Sequence, residues 1–182
     1  MKIDPTPLTD ALLLTPTVFG DERGFFMESW NDRVFQEAGI RETFVQDNHS
    51  RSAQGILRGL HYQTENTQGK LVRVTQGRVY DVAVDLRRSS ASFGQWFGVE
   101  LCAGKHTMLW VPPGFAHGFY VLSDSADFLY KTTDYYHPAS EVSLAWNDPT
   151  LNIPWPLIDG QAPNLSSKDQ QGLTWAEAPL FD

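Results

Sequence analysis

The chain has 182 residues, of which 41% are hydrophobic, one is cysteine, 14 are basic and 22 are acidic, for a formal charge of −8. That length closes one sizeable core. The acidic balance disfavours broad binding to nucleic acid or anionic membranes, so an anionic small ligand would need a local basic pocket. A lone Cys102 permits neither an internal disulfide nor a cysteine-held zinc, and it reads as inert packing. No run approaches the roughly 18 apolar residues of a membrane-spanning helix, and no basic segment followed by an apolar stretch of signal type stands near Met1. The expectation is a single cytoplasmic domain over residues 1–182.

In chain order, the first predicted element is a short peripheral helix over Asp32 to Ala38, capped by Asn31, stopped by Gly39 and packed through Val34 and Phe35. Strands are predicted at Thr43–Asn48, Ile56–Tyr62, Lys70–Thr75, Arg78–Leu86, Gln95–Leu101, Thr107–Val111, Gly118–Leu122 and Phe128–Thr133. These segments are rich in β-branched and aromatic residues and are cut apart by Gly and Pro. Gln76-Gly77 reads as a hairpin turn, and the imperfect alternation of Val79, Val82, Val84 and Leu86 reads as a strand buried on both faces. Pro149, Pro154, Pro156 and Pro163 deny regular structure to the late segment, after which Ser166 or Ser167 is placed to cap one helical turn carrying Lys168 and Asp169. Short strands without long helices predict a mainly β sandwich or barrel, with a jelly roll expected. Periodicity alone does not separate it from an immunoglobulin-like sandwich.

The chemistry-bearing residues concentrate in Gln46-Asp47-Asn48-His49-Ser50 and Arg58-Gly59-Leu60-His61-Tyr62-Gln63. If Ile56–Gln63 is a regular strand, Arg58 and His61 face opposite ways, unless a bulge at Gly59 intervenes. An imidazole is the side chain whose ordinary titration lies near neutral pH, so a histidine at position 61 suits a general base; the plainer alternative is a packed strand histidine. Arg58 offers a fork of donors for phosphate or carboxylate. The run Pro112-Pro113-Gly114-Phe115-Ala116-His117 matches the second cupin signature, proline-any-glycine-any-any-histidine, and favours the jelly roll. The first cupin signature has a His-any-His pair, where this chain offers His61 and Gln63, so no metal site is expected. His117 reads equally as a structural histidine or a lining group. Tyr130 and Tyr136 are phenols placed for a barrel mouth, where an acid can return a proton to the face opposite a base. Lys70, after the Gln68-Gly69 turn, is placed to sit over an enolate oxygen, although a lysine is more often a solvated surface charge.

Together these residues resemble the dTDP-4-dehydrorhamnose 3,5-epimerase family. The resemblance runs through Asp21–Glu28, Gln46–Ser50, Gly55–Gln63, Gly69–Leu86, Phe93–Trp96, Trp110–Leu122, Phe128–Tyr136, Asp148-Pro149, Trp155-Pro156 and Leu165–Asp169. It departs at Thr132 and Thr133, where a cysteine is common, and in the tail after Gly172. The resemblance implies a cupin-type jelly roll with its core at about 43–146, N-terminal strands within 11–29 at a homodimer interface, and residues 147–182 packed on the barrel. It implies a cofactor-free reaction on a dTDP-sugar in which His61 removes the C5 and C3 protons, Asp169 completes its dyad, Tyr130 is the opposing acid and Lys70 stabilises the enolate. It further implies that Arg58 and Arg23 hold the diphosphate, that Gln46, Asn48, Phe26, Glu28 and Tyr136 surround deoxyribose and thymine, and that His117 lines the sugar pocket. Rivals are a C5-only epimerase, a 3,4-ketoisomerase, and a catalytically silent cupin acting as a sugar-nucleotide sensor.

Overall fold

In the computed structural model, which describes residues 1–182, the chain is mainly β. Its strands are β1 (Lys2–Pro5), β2 (Leu12–Thr15), β3 (Val18–Asp21), β4 (Gly24–Met27), β5 (Gln46–Ala53), β6 (Leu57–Gln63) and β7 (Lys70–Gln76), then β8 (Arg78–Asp85), β9 (Trp96–Cys102), β10 (Met108–Val111), β11 (Phe115–Val121), β12 (Ser125–Thr132) and β13 (Glu141–Ser143). Two antiparallel sheets form the cupin jelly roll, in the orders β1-β2-β10-β7-β12-β5 and β13-β6-β11-β8-β9; β3 and β4 stand apart as a hairpin. The single α-helix, α1 (Asp32–Glu37), begins where the Asn31 side chain accepts from the N–H groups of Arg33 and Val34. No helix is long and apolar enough to cross a membrane.

Three apolar layers follow from the side-chain period of two. Between the sheets, Val72, Val74, Leu109 and Phe128 meet Val79, Ala83, Leu101, Phe119 and Val121. On the far side of the five-stranded sheet, Leu57, Leu60, Tyr62, Val82, Val84 and Tyr120 are covered by Leu151, Ile153, Trp155 and Ala178 from the C-terminal segment. Outside the six-stranded sheet, Leu14, Leu71, Met108 and Trp110 are covered by Phe35 and Ile40. β8 thus feeds two cores, which is why its apolar residues do not alternate. Cys102 is a free, partly buried thiol at the end of β9.

Some boundaries differ from the sequence-based expectation. β5 runs from Gln46 to Ala53, well beyond Asn48, with Gln46, Asn48, Ser50 and Ser52 turned one way and the more exposed Asp47, His49 and Arg51 the other. A strand polar on both faces leaves no hydrophobic alternation to read. β11 begins directly after the Pro112-Pro113-Gly114 turn, and all seven of its residues are buried.

The detail that positions the site lies in β6. It pairs His61 with His117 and Arg58 with Phe119, so Gly59 and Leu60 together oppose the single Gly118. This bulge changes the side-chain parity: Arg58 and His61, three apart, face the same interior while Leu57, Leu60 and Tyr62 face the tail. Gly59 has φ 121°, and a Cβ there would lie 2.6 Å from the Gly118 Cα and 2.8 Å from the His117 carbonyl oxygen. Gly59→Ala is therefore expected to lower unfolding free energy by at least about 1–3 kcal/mol in urea titration, with loss of activity as Arg58 and His61 are forced out of register.

Candidate active site

At the open end of the barrel, two adjoining hollows share His61, Lys70 and Tyr130 as walls. The deeper one, about 160 Å³, is completed by Ser50, Arg58, His117, Phe119 and Phe128; the outer one, about 80 Å³, by Gln63, Thr67, Gln68, Tyr136 and Glu141. A larger hollow of about 180 Å³ on the outer face of the six-stranded sheet, against Trp30 and Lys131, is lined by His49. His49 is exposed, however, and its carboxylate neighbour Asp127, 3.4 Å away, is already engaged by Arg51, so the barrel mouth is the stronger candidate for chemistry.

His61 projects from β6, and its Nε2 lies 2.5 Å from Oδ1 of Asp169, which is buried in a 3-10 turn (Asp169–Gln171) of the C-terminal segment. With Nε2–H donated to the carboxylate, Nδ1 is the nitrogen left to take a proton. Burial alone would raise the Asp169 carboxyl. The bond and charge of His61, the Ser166 hydroxyl and the Gly59 N–H outweigh it and hold Asp169 below the usual carboxylate range.

Lys70 opens β7, is 9% exposed, and donates from Nζ to the His61 carbonyl oxygen at 3.2 Å. Burial lowers its pKa to about 8, against the upward pull of Glu141 and Asp81. Tyr130 is pushed above the ordinary phenol value by burial and then by Glu141, opposed by Arg58, so it stays a proton donor at neutral pH. Deeper still, His117 Nε2 sits 2.9 and 3.0 Å from the two oxygens of the fully buried Asp81, and its ring stacks 6.0 Å from Phe128. Arg58 is oriented by donation from Nε to Ser52 Oγ at 2.9 Å. Gln63, at the position of the second histidine of the cupin pair, spends its amide on the carbonyls of Asn66 and Tyr135 and on the His137 N–H. No cluster of three or more His, Cys, Asp or Glu side chains has the geometry to hold a metal ion.

The description of the dTDP-4-dehydrorhamnose 3,5-epimerase family matches residues 5–177. A dTDP-4-dehydrorhamnose 3,5-epimerase of Pseudomonas aeruginosa is 58% identical over 182 residues, spanning 100% of this chain and 99% of that protein. The chain belongs to the dTDP-4-dehydrorhamnose 3,5-epimerase family. Among solved structures, a dTDP-6-deoxy-D-glucose-3,5-epimerase from Legionella pneumophila, in complex with dTDP-4-keto-L-rhamnose, superposes with a TM-score of 0.94 at 51% identity, covering 98% of this chain and 94% of that one. A 3'-monoepimerase from Streptomyces bikiniensis, in complex with dTDP-quinovose, superposes with a TM-score of 0.87 at 32% identity, covering 94% of this chain and 87% of that one.

Of the residues singled out in this epimerase's sequence, His61, Asp169, Tyr130, Lys70, Arg58, His117 and Tyr136 gather at the barrel mouth. Asn48 pairs with Tyr130 across β5 and β12, and Gln46 Oε1 accepts the Tyr136 N–H at 3.2 Å, which puts both beside the mouth without lining its hollows. Arg23, Phe26 and Glu28 are not brought there by their own chain. Arg23, at the tip of the β3–β4 hairpin, pairs with Asp21; Phe26 is 70% exposed; Glu28 accepts from Asn31. The sequence reading missed Glu141, which pairs with Lys168 and accepts the Tyr136 hydroxyl at 2.6 Å, and whose carboxyl is held low by those bonds despite burial. It also missed Asp81, although an acid amid the valines of β8 is itself a signal of a buried polar partner.

Proposed function

We propose that the His61–Asp169 dyad, facing the same hollow as Lys70 and Tyr130, performs the family's reaction, inversion at C3 and C5 beside the C4 ketone of a dTDP-4-dehydro-6-deoxy sugar in dTDP-rhamnose biosynthesis. The observation that carries this reading is the 2.5 Å contact between the partly buried His61 and the buried Asp169, beside a pocket walled by a buried ammonium and a protonated phenol. A carbon next to a ketone is acidic only when the resulting enolate oxygen is stabilised. His61 Nδ1 takes the proton, and Asp169 stabilises the imidazolium as the catalytic carboxylate does in histidine triads. The Lys70 ammonium accepts the charge developing on the C4 oxygen. Tyr130 delivers a proton to the opposite face, so each carbon inverts without an added cofactor. His117, held by Asp81, shapes the sugar pocket, and Arg58 meets the diphosphate.

The same reading makes the enzyme a homodimer in the cytoplasm. The β3–β4 hairpin is exposed on both faces, with Phe19 at 64%, Phe25 at 62% and Phe26 at 70% exposure, an apolar surface of the kind that a partner covers. Arg23, Phe26 and Glu28 then serve the site of a second copy, Arg23 joining Arg58 at the diphosphate, while Phe26 and Glu28 join Gln46, Asn48 and Tyr136 around the nucleoside. Co-expression of Arg23→Ala with His61→Asn tests this. Each variant alone is expected to be nearly inactive. In a mixed dimer one of the two sites is intact, so about a quarter of wild-type specific activity returns on random pairing. Purified co-expressed protein with no more activity than either parent would contradict the exchange of hairpins.

A further inference from the structure

Asp169 is not carried by the barrel. It sits in a C-terminal segment tied to the sheets near the site by isolated bridges, Ile56 to Asn164 and Leu144 to Leu173, and by loop hydrogen bonds. A carboxylate on such a turn needs something other than a strand to hold its plane. The Ser166 hydroxyl provides this: it donates to Asp169 Oδ2 at 2.7 Å and accepts the Asp169 N–H at 3.1 Å. The two carboxylate oxygens thus have separate tasks, Oδ1 toward His61 and Oδ2 toward Ser166. Rotation of the carboxylate would break both contacts at once.

We infer that Ser166 is a positioning residue of the epimerase, which acts through Asp169 by fixing the carboxylate plane that orients the His61 ring and stabilises the imidazolium. The assignment rests on the proposed dyad. Ser166 itself is exposed and lines neither hollow at the barrel mouth, so it acts without touching the sugar. Its neighbour Ser167, also exposed, makes no bond to Asp169. The residue at the start of the 3-10 turn is Lys168, without a side-chain cap, so Ser166 serves the Asp169 carboxylate and N–H rather than the N-cap position expected of Ser166 or Ser167.

A hydrogen bond to a charged group commonly contributes enough for about a tenfold effect on rate when removed. Ser166→Ala is expected to lower kcat roughly tenfold with KM little changed, because substrate contacts stay in place. Ser166→Thr, which keeps the hydroxyl, is expected to stay within about twofold of wild type. In an Asp169→Asn background the Ser166→Ala change should cost nothing further, since a residue acting only through the carboxylate has nothing left to act on. A strongly deshielded imidazole N–H proton in the wild-type NMR spectrum, arising from the short His61–Asp169 bond, should move upfield in Ser166→Ala while the remaining fold resonances persist. An unchanged kcat in Ser166→Ala, or a full tenfold loss on top of Asp169→Asn, would overturn the assignment. A fully active Asp169→Asn enzyme would instead overturn the dyad itself, so the two failures are separable.

Discussion

His61→Asn lowers kcat by about 10³–10⁴-fold and stops deuterium uptake at both C3 and C5, while dTDP still binds. The size follows from the proposed role, in which one imidazole is the base for both carbons and no other histidine at the barrel mouth is free to replace it. His117, the nearest by register, has its Nε2 shared between both oxygens of Asp81 and is buried to 6% exposure. Asparagine places its amide where the imidazole Nδ1 stood, short of Asp169, and adds no bulk to the pocket, so fold and nucleotide binding should persist. Steady-state kinetics with a parallel dTDP titration check the result. Uptake that survives at either carbon would mean a second base.

Lys70→Met is the other large effect, a fall in kcat of about 10²–10³-fold, the range for removal of one oxyanion donor. Lys70 is nearly as buried as the core around it, and methionine replaces its stem without leaving a cavity. The pH dependence gives a second, independent signature. Burial depresses the Lys70 pKa to about 8, so the charged form that the proposed enolate stabilisation requires is present below that value and is lost as pH rises through it. The plot of kcat/KM for wild type should therefore fall on the alkaline side of about pH 8, and Lys70→Met should lack that limb. Retention of the limb in the variant would assign it to another group.

Much of this was legible in the sequence, and the rest was hidden for identifiable reasons. The barrel strands announced themselves through β-branched runs and Gly-Pro punctuation, and the cupin signature ending at His117 narrowed the fold. The motif residues of the dyad were recognisable as candidates, but not their meeting: His61 and Asp169 touch only because the C-terminal segment folds back over β6. That Arg58 and His61 share a face depends on the bulge at Gly59, and the bulge depends on the bare backbone of Gly118 on another strand. β5 and β13 lack hydrophobic alternation because their polar residues line the mouth or pair at an edge, so Glu141 gave no periodic signal. Arg23, Phe26 and Glu28 were legible only by family resemblance, since within one chain they contact nothing at the site.

The most direct test of the central claim is to incubate the wild-type protein with dTDP-4-dehydro-6-deoxyglucose in deuterated water, with and without EDTA, following C3 and C5 by NMR. A single base beside a ketone held by Lys70 predicts deuterium at both carbons, with or without the chelator. Uptake at C5 alone, or uptake that EDTA abolishes, would contradict it.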